Sequence, residues 1–251
     1  MSFWQRGKLA LAQFLRLDLT HAQCHYATLL QTSVEGARWL EVGCGRCVVP
    51  NWAMSEAEQR TMVSRCASLT GIDVDEAIRE HPLLTFKVIG LAGSLPYRDA
   101  SFDLVTANMV VEHVSDCPAF LADILRVLKP GGRFIFHTPN YWYYLVFIAS
   151  WVPEWIKRRV VWWLERRRDE DRFVTYYRMN TVTDIRRLGE DAGFTVEQLK
   201  VVGSNGSFGR LGPLGVLECF VLKAHSNFCG GRFNSNLICT FQKRPGDLRP
   251  S

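Results

Sequence analysis

Gly43 and Gly45 follow the apolar run WLEV at Trp39–Val42, and Asp73 closes a second apolar run, LTGID, about thirty residues later. Glycine lacks a Cβ, so a turn built on two of them can adopt positive φ and bring backbone N–H groups close to an anionic ligand. An aspartate closing an apolar strand is placed to accept hydrogen bonds from both hydroxyls of a ribose. The two features together point to a nucleoside-containing cofactor. Two histidines, His113 after NMVVE and His137 at the end of RFIF, are candidate proton acceptors, imidazole being the side chain suited to that task near neutral pH. The bland alternatives are a cap or brace of its helix at His113 and a satisfied core residue at His137.

Elements must carry these residues to one place. β-rich apolar runs recur at Trp39–Gly43, Leu69–Asp73, Leu84–Gly90, Phe102–Thr106 and Arg133–Thr138. Helical patterns fall at His21–Ser33, Ser55–Ser68 and Cys117–Leu128, the last read as stopped by KPGG at Lys129–Gly132. The alternation predicts an α/β fold, a parallel sheet covered on both faces. Ligands of such sheets bind beyond the carboxyl ends of the strands, so Gly43–Cys47, Asp73, Leu91–Leu95, Asn108–His113 and His137–Asn140 should converge on one crevice. Phe194–Val202 and Val216–Ala224 read as a closing hairpin, with a short extra strand at Asn236–Gln242.

Read together, WLEVGCGRC, GIDVD, GLAGSLPYRDASFDLVTANMVVEHV and FLADILRVLKPGGRFIFHTPN resemble the class I S-adenosylmethionine-dependent methyltransferases, in particular the ubiquinone and menaquinone biosynthesis branch. The match covers roughly residues 37 to 140. The resemblance implies a Rossmann-like three-layer sandwich with a seven-stranded, mostly parallel sheet, and S-adenosyl-L-methionine as cofactor. It further implies that the loop Glu41–Cys47, with Gly43, Cys44 and Gly45, wraps the methionine part. Asp73 would hold the ribose with Val74 beside it, Ala92, Gly93, Ser94 and Leu95 would line the adenine, and Asn108 would lie next to the methionyl end. Glu41 could equally brace the turn. The acceptor implied is a small or lipid-linked molecule, methylated first of all on oxygen, with a histidine base of use to a hydroxyl.

Two positions depart from the family. Cys47 replaces the usual third glycine, and GLAGSLP puts Leu91 where the family's GDAxxLP pattern has an aspartate against the adenine amino group. The second change removes a polar contact worth about 0.5 to 1.5 kcal/mol. A nicotinamide-dependent enzyme fits less well, because its GxGxxG/A fingerprint needs Gly or Ala where Val48 stands and an acid nearer than Asp73. A non-catalytic protein that kept the fold for cofactor binding or membrane docking is the alternative of a different class, and Leu91 favours it.

Cys44 and Cys47 form a CxxC, yet no second pair stands at zinc spacing, so no metal is expected. A helix starting at the glycine turn would lower a thiol pKa there and sensitise it to oxidation. Eight cysteines in 251 residues are too sparse for a disulfide scaffold, so the thiols read as reduced and the protein as cytoplasmic. The opening MSFWQRGKLALAQFLRLDLTH reads as an amphipathic helix, not a signal peptide, and no run is long enough to span a membrane. A net charge of +5, with acids interleaved among the bases, argues against nucleic acid as partner.

The whole chain, 1–251, reads as one domain: N-terminal helices over 1–36, a cofactor core over 37–140, an insert over 141–180 and a closing segment over 181–251. The insert, between the fifth and sixth strands, holds five of the eight tryptophans beside Lys157–Arg159 and Arg166–Arg168. Aromatics next to basic groups suit a membrane interface, with peripheral contact through 141–168, whereas the acidic run Asp169–Asp171 suits a helical lid with its charges in water. Either way the insert walls the acceptor pocket, with Tyr176, Tyr177 and Arg178 within its reach.

Overall fold

The computed structural model describes residues 10–11, 13–15, 20–143, 146–147, 151, 174–203, 220, 223, 232 and 234–246. Seven strands form one sheet in the order β3-β2-β1-β4-β5-β7-β6. They are β1 Arg38–Val42, β2 Ser68–Asp73, β3 Phe86–Ile89, β4 Phe102–Asn108, β5 Leu128–Pro139, β6 Phe194–Val202 and β7 Asn236–Lys243. The first five pair in parallel, and β7 runs antiparallel between β5 and β6.

Period-two alternation sends each strand's side chains to two cores. Trp39 of β1, Leu104 of β4, Ile135 of β5 and Ile238 of β7 face α1 (Ala22–Gln31), which buries Ala22, Tyr26, Ala27 and Leu30. Leu40, Val42, Val105, Phe134, Phe136 and Phe241 face α3 (Cys117–Val127) and α4 (Val182–Ala192). Phe241 is central to that side, with ring centroids 5.2 Å from Phe194 and 5.3 Å from Phe136. Gly189 of α4 has no side chain because an added Cβ would lie 2.4 Å from Phe241 Cζ.

Local signals set the helix ends. Asp116 caps α3 by accepting from Ala119 N at 3.0 Å, and Thr181 caps α4 through Asp184 N. α2 (Glu56–Val63) opens with a Ser55/Glu58 capping box. It ends five residues before the expected Ser68, which is instead the first residue of β2, paired with Arg38. KPGG does not terminate the preceding helix by forming a loop; β5 begins at Leu128 and runs through it, with Gly131 at φ 79° and a register shift against β4.

The closing hairpin differs from expectation. β6 pairs with Asn236–Lys243, whose LICTF stretch is buried on both faces as an interior strand requires. Of Val216–Ala224, only Phe220 and Lys223 are described, and both are helical. The insert's ends are stapled together, Tyr141 N donating to Asn180 O at 2.8 Å. Within it Val146, Phe147 and Trp151 are helical, whereas 152–173, with both basic groups and the acidic run, lies outside the described residues, as do 1–9 and 16–19 of the expected opening helix. Among the described residues no helix is long and apolar enough to cross a membrane.

Candidate functional site

Parallel register places the carboxyl ends of β1 to β5 along one edge of the sheet, so the expected segments do meet. Gly43 (φ 67°) turns the chain out of β1, its N–H bonded to Ile72 O at 2.8 Å. An added Cβ there would lie 2.3 Å from Val110 Cγ2. Gly45 (φ 49°) donates its N–H to Asp73 Oδ2 at 2.7 Å, and Asp73 Oδ1 accepts from Asp75 N at 2.9 Å. The glycine turn and the acid that sequence reasoning paired are thus in direct contact.

No helix follows the turn. Residues 43–55 are turns and bends and α2 starts only at Glu56, so any anion held here would meet turn amides, not a helix N-terminus. The thiols change accordingly: burial, reinforced by the Glu41 carboxylate, pushes Cys44 and Cys47 up, against the expected lowering. The buried Cys44 Sγ would stand 2.7 Å from a Cβ at Gly71, which fits the thiol to a packing position.

Gly90 N donates to Asp73 O at 2.9 Å, so the segments following β2 and β3 leave the sheet side by side. Val74 (44% exposed) and Leu91 (66% exposed) are both apolar and open to solvent there. Gly93 and Ser94 lie at the surface beside them, Ala92 is half-buried against the core, and Leu95 is buried, its N–H held by Asp123.

Asn108 ends β4 in a side-chain network that sequence reading missed. Its Oδ1 accepts from Gln23 Nε2 at 3.1 Å, its Nδ2 donates to Gln23 Oε1 and Val48 O, and His137 Nδ1 lies 2.9 Å from Oδ1. His137 Nε2 is 3.1 Å from Asn236 Oδ1. Burial holds His137 down at about 4, so the ring is neutral at pH 7 and its single N–H can serve only one of these two amide oxygens. His137 thereby links β5 to β4 and β7.

Glu41 is fully buried on the α1 face. Its Oε2 accepts from the Thr106 hydroxyl, which itself accepts from Trp39 Nε1 at 2.5 Å, and among the described residues its Oε1 has no hydrogen-bond partner. Burial raises this carboxyl to about 8, so it is mainly a neutral acid at pH 7. Tyr26, pushed up by burial and by Glu41, faces it from α1.

His113 ends a short 3-10 turn, Val111–His113, between β4 and α3. Its Nδ1 lies 2.9 Å from Val174 O. A carbonyl only accepts, so in the neutral ring Nδ1 carries the hydrogen and Nε2 is the basic nitrogen. The turn is fixed from both sides: Tyr176 N and Tyr177 N donate to Glu112 O, and the Glu112 carboxyl accepts from Thr138 Oγ1, which accepts from Asn180 Nδ2. Met109 (φ 59°) and Tyr177 (φ 51°) flank it with left-handed backbone, and such strain concentrates at functional sites. From Tyr177 the rings continue through Tyr141 (5.9 Å), Phe147 (6.1 Å) and Trp151 (6.2 Å), with Trp142 stacked on Phe147. Trp142 and Trp151 are 50% and 76% exposed. Among the described residues no cluster of three metal ligands occurs.

Gln23 and Tyr26 of α1, its cap His21, and Glu112 of the Val111–His113 turn were invisible to motif reading because their partners lie on other elements. His21 caps α1 and packs edge-on against Trp52 at 4.5 Å, and it lies close enough to His137 to disfavour its protonation.

A family model described as a methyltransferase domain matches residues 19–199. Ubiquinone biosynthesis O-methyltransferase of Idiomarina loihiensis is 32% identical over 136 residues, covering 49% of this chain and 52% of that protein. Fatty-acid O-methyltransferase of Mycolicibacterium smegmatis is 31% identical over 135 residues, covering 51% and 46%. The chain thus spans about half the length of these curated relatives. An S-adenosylmethionine dependent methyltransferase from Mesorhizobium loti aligns in structure with TM-score 0.54 and 17% identity over 86% of this chain and 96% of that one, a likeness of fold.

Proposed function

The chain belongs to the methyltransferase-domain family, and on that premise we propose that it moves a methyl group from S-adenosylmethionine to an oxygen of a small or lipid-linked, partly apolar acceptor. The observation carrying the reading is the contact of Gly45 N–H with Asp73 Oδ2, which joins the turn and the acid into one cradle. The residues fit the cofactor chemically. Asp73 supplies acceptors for ribose hydroxyls, the Gly43–Cys47 turn supplies amides for a carboxylate, and Val74 and Leu91 supply apolar faces for a purine. Ala92, Gly93, Ser94 and Leu95 complete that side, and Asn108 stands at the methionyl end with Glu41 buried behind it.

When bound, S-adenosylmethionine supplies an electrophilic methyl on a sulfonium. His113 takes the acceptor's proton through Nε2 while Val174 O holds Nδ1–H. We give His137, buried between Asn108 and Asn236, the role of keeping Asn108 oriented, which its burial supports. Positioning supplies the rest of the rate, since a displacement at a methyl carbon needs the nucleophile in line behind it. The ring series from Tyr177 to Trp151 lines the approach to His113 and suits an acceptor with an apolar part. The names of the two relatives, on a quinone pathway and on fatty acids, support the same class.

Calorimetric titration with S-adenosylmethionine should show binding that Asp73→Ala abolishes, and labelled methyl donor should mark a lipid or small-molecule extract. Binding without any transfer would favour the non-catalytic docking protein to which the exposed Trp142 and Trp151 also point. Peripheral membrane contact through 141–168 predicts flotation with anionic vesicles; wild-type protein that stays at the bottom of the gradient rules it out.

A further inference from the structure

We propose that Asp123 and Arg126 of α3 are positioning residues for the adenine, holding in register the loop that reads it; this rests on the S-adenosylmethionine reading above. Leu95 closes the segment Leu91–Leu95, and both of its backbone polar groups are tied to α3. Its N–H donates to Asp123 Oδ2 at 2.5 Å and its C=O accepts from Arg126 Nη2 at 2.9 Å. The two side chains are paired to each other, Arg126 Nη2 lying 2.5 Å from Asp123 Oδ1, with Nε at 2.9 Å from the same oxygen. Arg126 Nη1 reaches further along the same connection, to Tyr97 O at 2.6 Å and Asp99 Oδ1 at 2.9 Å. One guanidinium therefore fixes three points between β3 and β4, and a planar fork of five donors is the group able to do so.

The Leu95 side chain is buried in the core, with Ala92 and Tyr97 packed against the same cluster. A cleft of about 380 Å³ opens between Gly93–Leu95 and the α3 face of Ala119 and Ala122, with Asp123 and Arg126 crossing it. Leu91 offers no carboxylate to the adenine amino group, so recognition falls to the backbone of Leu91–Ser94 and to apolar packing. A backbone edge selects a base only when it is held still, and the Asp123–Arg126 bridge is the device that holds it.

The test is calorimetry with S-adenosylhomocysteine on the full chain. Asp123→Ala should weaken binding on the order of tenfold, the loss of one charge-assisted anchor. Asp123→Asn, which keeps an acceptor for Leu95 N–H, should lose less. Leu91→Asp should tighten binding in the wild-type background and do so less than about twofold beside Asp123→Ala, because a new carboxylate helps only on a fixed loop. Amide exchange over 91–97 should quicken in Asp123→Ala while β4 stays protected, which separates loop release from global unfolding. Equal gain from Leu91→Asp in both backgrounds, or unchanged affinity in Asp123→Ala, overturns the inference alone. Failure of the wild-type protein to bind overturns the cofactor reading and the inference with it.

Discussion

Individual residues set how the site is built. Gly43 combines φ 67° with a neighbour that leaves no room for a Cβ. Gly43→Ala should lower stability by about 1 to 3 kcal/mol through strain and overpacking and weaken cofactor binding. Adding Val110→Ala should return part of the loss by removing the clashing methyl, and thermal denaturation of the two variants measures it. At His113 an asparagine amide can still donate to Val174 O but carries no base. His113→Asn should therefore cut kcat by about 10² to 10⁴-fold with cofactor affinity unchanged; wild-type turnover in that variant would end the base assignment.

At the level of elements, the sheet edge positions everything, and packing on its opposite face sustains it. Gly189 shows which force prevails. Alanine there gains about 1 kcal/mol of helix propensity but drives a methyl into Phe241, a cost of about 1 to 3 kcal/mol. Gly189→Ala should thus be net destabilising, with Tm falling about 2 to 4 °C per kcal/mol lost in a chain of this size. Lys243 of β7 makes a related link, its buried Nζ donating to Leu125 O and Leu128 O at 2.8 Å, so the strand that completes the sheet also caps α3.

Across the whole molecule, buried titratable groups give stability a pH dependence. Glu41 and Glu112 are raised by burial to about 8 and about 7 from an ordinary 4.5. Between those limits the unfolded chain is ionised while the fold keeps the proton, so the folded state binds more protons and stability falls as pH rises through 7 and 8. His137 acts with the opposite sign. Its folded value near 4 lies below the ordinary 6.5, so its contribution is present above 6.5 and is lost as pH drops towards 4. Melting temperatures from pH 6 to 9 should decline in wild-type protein and flatten in a Glu41→Gln, Glu112→Gln double variant. A wild-type profile flat across that range would contradict the burial of these acids.

Order along the chain and short spacing were sufficient for the alternating elements, the two glycines, the acid after the second strand and the two histidines, since each is a property of neighbouring residues. The same reasoning misplaced the partner of β6, because Val216–Ala224 and Asn236–Lys243 are both apolar runs and the pairing of Asn236–Lys243 with β5 and β6 is not a local property. The helix after the glycine turn opens at Glu56, capped by the Ser55 at which the sequence pattern begins it. Only tertiary structure separated His113 from His137. Their local sequences suit the same task, but one ring is buried between Asn108 and Asn236 from distant strands and the other is half-buried on a turn, with Nδ1 against Val174 O. Solvent access and hydrogen-bond partners decide what a side chain can do, and both are supplied by segments far away in the chain.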